Sequence, residues 1–161
     1  ALTSCGPDKP KQNIHKIPYT QKQIDSLLEA GERAYNRMEQ DRVLSYISTH
    51  GLAMTQSQSG FWYTITTKNE KGKSIDFNNL VKYSRSIGLL DGTVCYNDTN
   101  VLKVGNGEEI TGMHDALKLL KTGEKAKFIF PSYLAHGLMG DSYKIPPKSE
   151  LVYEVEIMDV K

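Results

Sequence analysis

The chain has 161 residues, enough for one domain of about 100 residues and an appendage. It is 39% hydrophobic and 24% charged, and 20 basic against 19 acidic side chains leave a formal charge of +1. No run of Lys or Arg exceeds two, so nucleic acid has no electrostatic footing, and no apolar stretch approaches the ~18 residues of a membrane span.

At the start, Leu2-Thr3-Ser4-Cys5-Gly6 resembles a bacterial lipobox, an aliphatic residue and two small ones before the cysteine that is acylated. On that pattern Cys5 is the expected lipidation site, and the sequence is expected to begin inside a signal peptide. Residues 1–18 are then a tether. Their three prolines and three lysines after Cys5 make a solvated spacer, and the membrane is met only through the lipid. Acylation would occupy Cys5, leaving Cys95 as a small buried hydrophobe.

Thr20-Gln21-Lys22-Gln23 has capping-box spacing and opens a helix. Ile24, Leu27, Leu28, Tyr35 and Met38 recur on one helical face, followed by Val43, Leu44, Tyr46 and Ile47. His50-Gly51 is a stop signal. Residues 19–51 are thus a helical arm, one long helix or two joined near Asp41, too polar to form a core alone.

The β-rich part, 52–161, begins with Phe61, Tyr63 and Ile65 alternating with Trp62, Thr64 and Thr66. Trp62 lies on the polar face, where it would cover the arm or bind a ligand. Residues 67–79 read as a polar loop and 80–86 as a second strand, with Val81, Tyr83 and Arg85 on one side. Asp91-Gly92 turns the chain into a strand over 93–96, Asn97 to Asn100 read as another loop, and 101–104 as a short strand. From Thr111 to Lys121, Met113, Ala116, Leu117 and Leu120 form one helical face, ended by Gly123. Ala126, Phe128 and Phe130 alternate with lysines. Residues 131–148 are a Pro- and Gly-containing excursion, and the last strand turns Leu151, Tyr153, Val155 and Ile157 to the core. About five antiparallel strands around one short helix, with a helical N-terminal arm, make an α+β domain.

Five elements in order, Val81-Lys82-Tyr83, Asp91-Gly92-Thr93-Val94, Glu109-Ile110-Thr111-Gly112, Ala135-His136-Gly137 and Ile145-Pro146-Pro147 before the terminal strand, resemble the FKBP-type peptidyl-prolyl isomerases. The match covers roughly 60–161 and implies an FKBP-like antiparallel sheet wrapped on a short helix. With the lipobox, the arm and Ser59-Gly60-Phe61-Trp62-Tyr63, the chain resembles Bacteroidetes FKBP lipoproteins, in particular the gliding-motility-associated group. That resemblance implies a periplasm-facing, outer-membrane lipoprotein of the cell envelope that isomerises X-Pro bonds in exported polypeptides. It implies no cofactor and no metal. It also leaves room for a homodimer through the N-terminal helices.

The same resemblance places Tyr83, Ile110 and Tyr153 on the proline pocket, with the Ile110 backbone N–H donating to the substrate carbonyl, and Ile145 near the mouth. Four positions depart from the family pattern. Cys95 stands for a phenylalanine wall, Tyr96 for an aspartate acceptor, Met113 for a Trp floor and His136 for a Tyr donor. These changes imply weakened proline and macrolide binding, and keep a non-catalytic chaperone or partner-binding module of the cell envelope as the alternative. Without the family context, Tyr83 and Tyr153 read as core aromatics. His15, His50 and His114 show no metal-ligand spacing.

Overall fold

The computed structural model describes residues 19–161. Cys5 and the tether expected over 1–18 lie outside the described residues. The chain divides into two compact units, one ending at Ala34 and one spanning Tyr35–Lys161. A single helix, α1 (Gln21–Thr49), runs through both.

In the first unit the capping box is formed. The Thr20 N–H donates to Gln23 Oε1 at 2.8 Å, and the Gln23 N–H reaches back to Thr20 Oγ1 at 3.4 Å. Leu27 and Leu28 are exposed, whereas the helical spacing alone suggested a buried face.

The second unit contains the rest of α1 and six strands: β1 (Thr55–Gln56), β2 (Trp62–Thr67), β3 (Leu80–Leu89), β4 (Val94–Lys103), β5 (Lys125–Phe130) and β6 (Leu151–Val160). They form one antiparallel sheet in the order β1-β2-β5-β6-β3-β4. The short helix α2 (Thr111–Leu117) buries Met113, Ala116 and Leu117 in a core with Val81, Tyr83, Phe128, Phe130 and Tyr153. Gly112 permits that seating, because a Cβ there would lie 2.6 Å from the Phe130 ring.

The opposite face of the sheet carries a second cluster. Val43, Ile129 and Val152 are buried, and Tyr46, Ile47, Met54, Trp62 and Leu90 pack against them. Trp62 therefore meets the C-terminal half of α1. Only the stripe through Glu39 and Val43 is fully buried; Met38 and Leu44 lie off it and are exposed. Gly51 closes the helix at φ +60°, and the Leu52 N–H returns to the Ile47 carbonyl at 3.0 Å.

Two local expectations are corrected. The β4 strand is continuous, pairing with β3 from Val94 to Lys103, where the polar run Asn97 to Asn100 suggested a loop. It is the sheet's edge, so solvent meets one side of it and polar residues are tolerated. Helix α2 ends at Leu117 rather than Lys121. The 131–148 excursion is as expected, with one 3-10 turn at Ser132–Leu134.

Candidate functional site

A cavity of about 520 Å³ opens between the inner face of β3 and β4, the start of α2 and the 135–145 loop. Alternation along β3 turns Arg85 and Ile87 toward it, and β4 contributes Tyr96 and Asp98. Ile110, His136, Ile145 and Tyr153 complete much of the wall.

Five residues expected at the site thus line one cavity: Tyr96, Ile110, His136, Ile145 and Tyr153. Tyr83 and Met113 are fully buried in the core beside it, and Cys95 is 3% exposed, its thiol 3.6 Å from the Lys144 carbonyl. These three are not among the lining residues. The His136 ring makes no hydrogen bond among the described residues, so both its nitrogens are available to a ligand.

Sequence reasoning missed the carboxylates. Glu109, whose side chain is only 4% exposed, accepts from Tyr83 Oη at 2.9 Å, from Asn100 Nδ2 at 3.3 Å and from Arg85 through Oε2. Its Oε1 accepts from Tyr153 Oη at 3.2 Å and from the Ile110 backbone N–H at 3.0 Å. Arg85 also donates to Asp98 at 2.7 Å. Burial, followed by the Glu109 charge, raises both the Tyr83 and the Tyr153 phenols, so each stays neutral as a donor. Burial alone would lower Arg85, but its bond to Asp98 and the Glu109 charge outweigh that and raise it.

Asp141 organises the loop. Its Oδ1 accepts the N–H groups of Tyr143 at 2.9 Å, Lys144 at 2.9 Å and Ile145 at 2.7 Å, and Oδ2 accepts the Tyr96 hydroxyl. Burial pushes this carboxyl up, but the four hydrogen bonds hold it well below the usual carboxylate range. The same bond, then burial, pushes Tyr96 up to about 12. Gly140, at φ +66°, lets the loop fold back on itself, since a Cβ there would meet the Ile145 carbonyl at 2.2 Å. The Gly-Asp pair at 140–141 was a readable turn signal; the partnership with Tyr96 was not.

No group of three or more His, Cys, Asp or Glu among the described residues is placed to hold a metal. The cavity offers donors, hydroxyls and an apolar wall, an arrangement suited to binding and orienting a peptide.

Residues 66–158 match the model of the FKBP-type peptidyl-prolyl cis-trans isomerase family. Among curated proteins, the chain is 29% identical to the inactive peptidyl-prolyl cis-trans isomerase FKBP6 of Mus musculus, over 80% of this chain and 38% of that one. It is 31% identical to a probable FKBP-type peptidyl-prolyl cis-trans isomerase of Haemophilus influenzae, over 68% and 46%. The chain spans less than half the length of these relatives. In fold, it resembles the crystal structure of a peptidyl-prolyl cis-trans isomerase from Pseudomonas syringae, with a TM-score of 0.68 at 24% identity, covering 80% of this chain and 95% of that one.

Proposed function

The chain belongs to the FKBP-type peptidyl-prolyl cis-trans isomerase family, whose model matches more than half of it, and we propose that it accelerates rotation about X-Pro bonds in exported polypeptides. The observation that carries this reading is the convergence of Ile110, Tyr153, His136 and Ile145 on one cavity. Rotation faces a barrier of ~18–20 kcal/mol and takes tens of seconds or more uncatalysed. No bond is made or broken, so no nucleophile is required. The twisted amide loses resonance and part of its dipole, and a partly dry cavity favours it over the planar ground state.

The efficiency is proposed to be low. About half of the cavity wall is polar or charged, and the Ile110 N–H already has an acceptor in Glu109. A protease-coupled or NMR exchange assay on a short Ala-Pro peptide tests the activity; a rate equal to that in buffer would sink it.

The proposed location rests on the lipobox-like pattern at Cys5. We place the protein on the periplasmic side of the cell envelope, held by a lipid on Cys5 at the outer membrane, as in the gliding-motility-associated lipoproteins it resembles. Metabolic labelling with a fatty acid, lost in Cys5→Ala, checks this. The exposed Leu27 and Leu28 support a homodimer through the N-terminal helices, to be read by light scattering of a soluble form starting after Cys5.

A second reading rests on Leu138, Met139 and Tyr143. All three are exposed on the loop beside the cavity, where they suit a chaperone or partner-binding role without catalysis. Aggregation suppression that persists when the isomerase assay reads zero would favour it.

A further inference from the structure

The contacts of Glu109 bear on how the cavity would handle its substrate, given the isomerase reading. Five donors converge on this one carboxylate: Tyr83, Arg85 and Asn100 on Oε2, Tyr153 and the Ile110 N–H on Oε1. A carboxylate offers about four lone-pair sites, so the set is oversubscribed. One donor can leave without stranding the buried charge. Tyr83 and Asn100 do not line the cavity, and Arg85 is held a second time by Asp98. Tyr153 also borders the cavity but is fully buried, whereas the Ile110 N–H belongs to a slightly exposed wall residue at the head of α2 and is the donor a peptide carbonyl can take over.

We propose that Glu109 is a positioning residue whose Oε1 occupies the place of the substrate carbonyl oxygen and yields the Ile110 N–H when a peptide binds. In the resting protein it fixes the direction of that N–H. In the complex the substrate oxygen lies close to a carboxylate. The planar amide oxygen carries more partial negative charge than the twisted one, so the repulsion falls more heavily on the bound ground state than on the transition state. Weak binding and retained turnover then have one cause.

The decisive variant is Glu109→Gln, which keeps the shape and an acceptor oxygen but removes the charge, while Arg85 retains Asp98. On an Ala-Pro peptide we expect KM to fall about tenfold and kcat to fall several-fold, leaving kcat/KM within about threefold of the wild type. A KM that stays the same or rises would overturn the proposal. The wild-type protein gives an independent readout that does not depend on the variant folding. During titration with the same peptide, the Ile110 amide in a ¹H–¹⁵N spectrum should shift more than its neighbours, as a charged acceptor is replaced by a neutral one. Isomerisation with an Ile110 amide that does not move would overturn this inference and leave the isomerase reading intact. If the wild type neither binds nor accelerates the peptide, both fall together.

Discussion

Arg42 and Glu150 join α1 to the segment that leads from the cavity into β6. Both Nε and Nη2 of the arginine lie 2.6 Å from Glu150 Oε1, and the carboxylate side chain is only 8% exposed. Tyr35, two turns earlier on the helix, adds a hydrogen bond to the Lys148 carbonyl at 3.3 Å and lies under the Lys148 ammonium at 4.5 Å. The C-terminal half of the helix is therefore fastened just beyond Ile145-Pro146-Pro147.

Removing only the arginine should be costly, because it leaves a buried carboxylate unpaired. We expect Arg42→Met to lower the unfolding free energy by about 2–3 kcal/mol, and the double variant with Glu150→Met to recover most of it. Urea unfolding followed by tryptophan fluorescence reads both. A double variant no better than the single one would show that the pair is not the source of the loss.

The Tyr96–Asp141 bond predicts a pH dependence with two edges. Asp141 has a lowered folded pKa, so its contribution is present above the ordinary aspartate value of about 4 and is lost as pH falls below it. Tyr96 has a raised one, about 12. Its contribution is therefore complete below the free tyrosine value of about 10 and is lost as pH rises toward the folded value. Tyr96→Phe should be less stable than wild type near neutrality, with the gap closing above about pH 10. Urea midpoints across pH give the difference curve, and a gap independent of pH would contradict the assignment.

Four carboxylates, Asp98, Glu108, Glu109 and Asp141, line the cavity against one guanidinium, Arg85. A peptide with lysine flanking its proline should therefore be turned over in preference to one with glutamate. We expect about five- to tenfold in kcat/KM at low salt, shrinking at about 0.5 M salt where the screening length is only a few ångströms. Equal rates, or a preference indifferent to salt, would count against a field from these side chains.

Gly31 sits inside α1, and a Cβ there would meet nothing within 4 Å. Gly31→Ala should stabilise that stretch of helix by roughly 0.5–1 kcal/mol. Ellipticity at 222 nm and amide exchange around residue 31 are the measurements; faster exchange would refute it.

The scaffold was readable because its signals are local. Alternation in Phe61–Ile65, Ala126–Phe130 and Leu151–Ile157, and the apolar stripe of α2, each depend on a few neighbours, and all reappear as sheet and core. The polar run Asn97 to Asn100 misled because its side chains answer to distant partners. Asp98 binds Arg85, and Asn100 binds Tyr83 and Glu109. Glu109 itself follows a Gly-rich turn, and no neighbouring residue marks it for burial, which depends on Arg85 and Tyr153, far away in sequence. Tyr83, Ile110 and Tyr153 could be singled out only through family resemblance, since alternation alone does not separate a pocket wall from a core.

The cluster behind the sheet has a consequence for where this protein can be cut. The family model matches from residue 66, but Ile129 and Val152 are covered by Val43, Tyr46, Ile47 and Trp62, all of which precede it. A fragment trimmed to the homologous boundary would lose most of β2 and present a bare apolar sheet to water. The boundary of the family-model match and the boundary of the packed unit do not coincide in this chain.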